Sequence, residues 1–182
     1  MKKIFLIVAS AMSLFACNNE KTGDSEKMVS GSDSTITKPQ SEFADAKYTE
    51  MGKTQLAQFE SGDVNAWMNA FADNAVYSWS AGDSLAGKTA IANYWKERRG
   101  NVIDSIKFSN DIWLPLKVNT PQKGPDAPGI WLLSWYQVDV KYKNGKKLMF
   151  WTHTDYHFDA NDKIDRAIQY IDFAPIKAAL GK

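Results

Sequence analysis

At 182 residues the chain is sized for one domain with a substantial core. Its apolar share of 44% and aromatic share of 13%, with seven Trp, are ample for a globular fold, and a net charge of +1 gives no footprint for nucleic acid. Cys17 is the one cysteine, so no internal disulfide can form.

Taken from the N-terminus, Lys2 and Lys3 form a charged n-region, and Ile4 to Phe15 form an apolar stretch too short for a membrane span. The run Leu14-Phe15-Ala16-Cys17 resembles the bacterial lipobox. That resemblance implies cleavage after residue 16, diacylglycerol on the Cys17 sulfur, and attachment to a membrane of the cell envelope without spanning it. From Asn18 to about Gln40 the chain is polar and without period. It reads as a disordered tether, with a reach of roughly 25–30 Å.

The folded domain is expected over residues 41–182. Ser41 is a plausible N-cap for a helix running to about Glu60, with Tyr48, Met51, Gly52, Leu56 and Phe59 along one side. Asp63 caps a second, short helix whose apolar face is Val64, Trp67, Met68 and Phe71. Asp73-Asn74 reads as a turn before a strand from Ala75 to Ser80. Gly87 precedes a third helix bearing Ile91, Tyr94 and Trp95, and the cations from Lys96 to Arg99 suit its C-terminal end.

Beyond Gly100 the pattern predicts strands. Ile106, Phe108, Ile112 and Leu114 alternate within Asp104 to Leu116. A loop rich in proline and glycine, Asn119 to Gly129, is long enough to act as a rim or lid, although plain connection is the commoner role. Ile130 to Lys143 and Lys146 to Phe158 read as long strands joined at Asn144-Gly145, followed by a last strand, Lys163 to Phe173, and a short helix opened by Pro175. Helices followed by antiparallel strands predict an α+β domain with one sheet covered by helices.

Two stretches carry a family resemblance. The first is Gly62-Asp63-Val64, Trp67 and Phe71 to Tyr77, followed by Gly87 to Ile91 and Tyr94-Trp95. The second is the turn before Lys163-Ile164 and the close at Tyr170-Ile171-Asp172. Together they resemble the nuclear-transport-factor-2-like superfamily, in the flavour of SnoaL-type polyketide cyclases. The resemblance implies a cone-shaped domain, a strongly curved and mostly antiparallel sheet wrapped by about three N-terminal helices, enclosing an apolar pocket and often dimeric.

A two-residue Asn-Gly hairpin pairs Lys143 with Lys146, placing Tyr136 opposite His153, Ser134 opposite Asp155 and Val138 opposite Trp151. A four-residue loop from Asp159 to Asp162 then sets Asp155 opposite Arg166. On this register the pocket face gathers Leu132, Ser134, Tyr136, Val138, Met149, Trp151, His153, Asp155, His157, Arg166, Ile168 and Tyr170. The other face, with Trp131, Leu133, Trp135, Gln137, Thr152, Thr154, Tyr156, Gln169 and Ile171, reads as a homodimer contact.

Asp155 as a general base, with His153 or Tyr136 steadying an oxyanion, is one expectation for the pocket. An Asp155–Arg166 cross-strand ion pair is the plainer one. Trp67, Trp79, Trp95 and Trp113 either wall the pocket or are simply core. His153 and His157 lie too far apart along a strand to share a metal, and no glycine-rich phosphate loop or other cofactor motif is present. Two functions follow: a membrane-anchored domain holding an apolar or aromatic small molecule, with Trp151, Tyr136, Ser134, His157, Arg166, Tyr170 and Trp67 around it, or a cyclase or isomerase using Asp155 and His153.

Overall fold

The computed structural model describes residues 38–182. The expected signal segment, Cys17 and all of the tether except Lys38–Gln40 lie outside the described residues. The domain is α+β, with one curved seven-stranded sheet in the order β1-β4-β5-β6-β7-β2-β3. In chain order the elements are β1 (Ser41–Phe43), α1 (Lys47–Ser61), α2 (Val64–Met68), β2 (Phe71–Trp79), β3 (Ser84–Ala86) and α3 (Lys88–Glu97). A π turn (Arg98–Val102) leads into β4 (Ile103–Val118), β5 (Gly129–Tyr142), β6 (Lys147–Phe158), β7 (Ile164–Tyr170) and α4 (Phe173–Leu180). No described helix is long and apolar enough to cross a membrane.

Ser41 is not a helix cap. It opens β1, whose residues pair with Leu116–Val118, and α1 starts only at Lys47, where the Asp45 carboxylate accepts the Lys47 N–H at 2.8 Å. An available edge on β4 outcompetes the capping tendency of a serine. Asp63 does cap α2, accepting the Ala66 N–H at 2.9 Å. Asp73-Asn74 is not a turn but lies within β2, where the pairing with β7 shifts between Phe71 and Val76. That pairing is parallel, so the sheet is mixed. Asp172 rather than Pro175 opens α4, accepting the Ala174 N–H.

α1 lies close on the sheet because Gly52 has no side chain. A Cβ there would stand 2.7 Å from Leu132 Cδ2 and closer still to the Trp113 ring. The core between helices and sheet is dominated by aromatics, among them Phe59, Trp67, Phe71, Tyr77, Trp79, Tyr136 and Tyr156. Phe59 meets both Trp67 and Trp95 edge-on, at 5.2 and 5.0 Å between ring centres.

The hairpin register differs from the expected one by a single residue. The Tyr142 N–H donates to the Lys146 carbonyl (2.8 Å), and Gly145 N–H closes back on Tyr142 (2.9 Å). The loop is therefore the three residues Lys143–Gly145, with Gly145 at φ 85°, a conformation that glycine adopts without strain. A one-residue slip moves every side chain of β5 to the opposite face relative to β6. Tyr136 consequently pairs with Thr152, Ser134 with Thr154, and Trp135 with His153.

At the β6–β7 junction a bulge next to His157 moves the pairing by two, setting Asp155 opposite Ile168 and His157 opposite Arg166. The sides are kept there. A second bulge, at Asn110 with φ 55°, splits β4: Ile106 and Phe108 share the side of Val140 and Val138, while Ile112 and Leu114 turn to the side of Trp135 and Leu133.

Candidate functional site

The inner face of the sheet, the one covered by helices, lines a cavity of about 90 Å³. β5 supplies Tyr136, Val138, Val140 and Tyr142, while β4 contributes Ile103, Ile106 and Phe108. From the helices come Leu56, Phe59, Trp67, Tyr94 and Trp95, with Arg98 at the start of the π turn. The far wall is Tyr77, Trp79, Phe150, Tyr156 and Gln169, closed at the C-terminal end by Ile171, Phe173 and Ile176. Arg98 is the one charged residue of this lining, which holds no carboxylate and no imidazole.

Its polar groups form a short ladder. Gln169 Oε1 accepts from both Tyr77 Oη and Trp79 Nε1, each at 3.0 Å, and Tyr136 Oη lies 2.9 Å from Thr154 Oγ1. Burial pushes up the pKa of Tyr136 and carries those of Tyr77 and Tyr156 well above the usual tyrosine range. All three phenols are thus neutral at physiological pH. The Trp95 indole nitrogen is different: it is fully buried and has no hydrogen-bond partner.

Of the residues expected at the pocket, Tyr136, Val138 and Trp67 line the cavity. Ser134 is on the inner face but wholly buried, its hydroxyl donating to the Thr154 carbonyl at 2.7 Å, a bond within the sheet. Trp151, His153, Asp155, His157, Arg166 and Tyr170 project from the opposite, outer face, because the register slip separates β5 from β6 in side. The expected Asp155–Arg166 pair is not formed. Arg166 Nη1 instead donates to the Pro125 carbonyl at 2.6 Å.

Asp155 is the neighbour of His153, whose Nε2 lies 2.8 Å from Asp155 Oδ1 in an ion-pair contact off the N–H line; Oδ1 is buried and makes no hydrogen bond. His153 Nδ1–H donates to the Ser134 carbonyl at 3.0 Å, and the ring is stacked between Trp135 (4.3 Å) and Tyr170 (5.2 Å). Both ring nitrogens face oxygen acceptors. Burial works against the imidazolium, but the Asp155 carboxylate and the Ser134 carbonyl outweigh it and raise the pKa.

On the same outer face the loop between β4 and β5 folds over the end of the sheet. Trp131 Nε1 donates to the Ala127 carbonyl (2.9 Å), and His157 stands between Asp165 (2.6 Å) and the Pro128 carbonyl (3.1 Å). This loop forms the rim of an outer groove of about 260 Å³ that has Asp155, Leu133 and Ile168 in its floor.

Trp79 and Trp95, singled out as wall candidates, do line the cavity, whereas Trp113 packs beneath Gly52. Tyr77, Tyr94, Arg98, Tyr142, Phe150, Tyr156 and Gln169 were not expected there. For Arg98 the signal was present: it follows Trp95 by three and Tyr94 by four, the spacing that keeps side chains on one helical side.

No protein-family model and no curated protein matches the chain. Solved structures do. An NTF2-like protein of unknown function from Burkholderia pseudomallei superposes with a TM-score of 0.58 at 11% identity, covering 74% of this chain and 97% of its own. A protein of ketosteroid isomerase-like fold from Catenulispora acidiphila, solved in complex with trimethylamine, gives 0.53 at 13% identity over 72% of this chain and 92% of its own. An epoxide hydrolase of the LEH-like kind from M. tuberculosis gives 0.51 at 15%, covering 72% and 86%. These likenesses establish the fold as NTF2-like.

Proposed function

We propose that the domain is a small-molecule-binding module, holding an apolar or aromatic ligand in the inner cavity and displayed at the cell envelope on a lipid attached to Cys17. The observation that carries this reading is the composition of the cavity wall. It is aromatic and aliphatic with a few fixed donors, which suits binding, and it holds no carboxylate or imidazole to act as a base near neutral pH. The cyclase or isomerase alternative needs Asp155 and His153 beside the ligand, and they stand on the other face of β6. The same outer face, with Trp151 at 52% and Met149 at 64% exposure beside Tyr170, supports self-association into a homodimer.

Native mass spectrometry of the full chain expressed in a bacterial host tests this. A dimer carrying a discrete small-molecule mass is expected, with the adduct lost in Trp67→Ala. A protein whose mass shifts with no apolar compound would remove the binding reading. A Cys17→Ser chain should leave the membrane fraction.

A further inference from the structure

We infer that the ligand of the inner cavity is a small carboxylic acid, bound with its carboxylate between Arg98 and the indole N–H of Trp95. The inference rests on the binding reading above and adds the chemical class of the ligand. Two independent observations meet at this point of the wall.

The first is an unused donor. Trp95 Nε1 is buried without a partner, although its ring is held firmly by edge-on contacts with Phe59 at 5.0 Å and Tyr94 at 5.1 Å. The ring cannot turn its N–H toward water without breaking both contacts. A donor locked in this way, on a residue that lines the cavity, calls for an acceptor supplied from outside the chain.

The second is a cation without a counter-ion. Arg98 is the cavity's one charged group, and among the described residues no ion pair involves it. Its guanidinium lies 5.6 Å from the centre of the Tyr94 ring, and Tyr94 and Tyr142 both feel its charge. The neighbouring Arg99 is engaged elsewhere, donating to the Glu60 carbonyl at 3.2 Å, so the π turn sends one arginine to the cavity and one away. Trp95 and Arg98 are three residues apart at the junction of α3 and the turn, which brings the two residues to one side, and both line the cavity.

A neutral acceptor such as an amide would satisfy the indole but leave the guanidinium uncompensated, and an amine would be opposed by it. A carboxylate answers both, with the planar fork that arginine recognises. The size of the cavity limits the apolar remainder to at most one small ring or a short branched chain.

Calorimetric titration of the full chain at pH 7.5 with benzoate, benzamide and toluene separates the possibilities. Benzoate is expected to bind about tenfold more tightly than benzamide, in line with the greater strength of charge-assisted hydrogen bonds. Arg98→Gln should erase that preference while leaving toluene binding intact, which also shows that the variant is folded, and Arg98→Lys should restore part of it. Trp95→Phe should weaken benzoate and benzamide but not toluene. Equal binding of benzoate and toluene, unmoved by Arg98→Gln, would overturn the acid ligand and leave the apolar cavity standing. Failure of all three to bind would overturn both.

Discussion

His153 is held by groups that favour its charged form, and the consequence is a defined dependence on pH. Its pKa is raised in the folded chain, so the stabilisation is fully present below the unfolded value of about 6.5 and is lost as pH rises through the folded value. Urea unfolding should therefore show stability falling from pH 6 to pH 9, with a shallower fall in Asp155→Asn, where the charge that outweighs burial is gone. An equal slope in the two proteins would assign the effect elsewhere. Gly52 illustrates a different constraint. Ala is the better helix former, yet here its methyl group would collide with Leu132 and Trp113. Gly52→Ala should cost about 1–3 kcal/mol by chemical denaturation, the range for overpacking a filled contact.

At the scale of elements, the loop between β4 and β5 is fastened by single bonds from Arg166, Trp131 and His157. Arg166→Ala should raise amide exchange in residues 119–128 and leave the β5–β6 ladder unchanged; faster exchange throughout β6 would mean that Arg166 supports the sheet as a whole. The hairpin explains what could be read from sequence and what could not. Alternation marked both strands, and Asn144-Gly145 marked the turn between them, to within a residue or two. Whether the loop held two residues or three was not legible, because both geometries accept a glycine in the left-handed region. That single residue decided which of two stripes on β6 faced inward with Tyr136: Thr152, Thr154 and Tyr156 rather than Trp151, His153 and Asp155. It placed Tyr136 in the cavity as expected but sent His153 and Asp155 to the other side. Asn110 had the same effect on β4: a bulge in mid-strand leaves no mark in a pattern of Ser, Asn and Asp.

For the whole molecule, the α+β architecture and helix-covered sheet were readable because they depend on sums over many residues, the three amphipathic helices and the long strands. The cavity was not readable from any one strand, since its wall draws on every layer of the fold, from Leu56 on α1 to Ile176 on α4. Of the two donors at its wall, Trp95 belongs to the apolar side of α3, whereas Arg98 lies in the run Lys96 to Arg99, whose cations suit a helix C-terminus. Spacing from Tyr94 and Trp95 marks Arg98 for their side of the helix, while the π turn that follows α3 leaves no mark in the periodicity.

The parallel pairing of β2 with β7 bears on the order of events during synthesis. Val76 to Trp79 lie against Arg166 to Gln169, so an early strand waits for one of the last to be made. Until β7 emerges, β2 has only the three-residue β3 beside it, and the wall carrying Tyr77, Trp79 and Gln169 does not exist. Contacts so distant along the chain make closure slow. A nascent polypeptide built this way keeps one side of its sheet open until its last strand has been made.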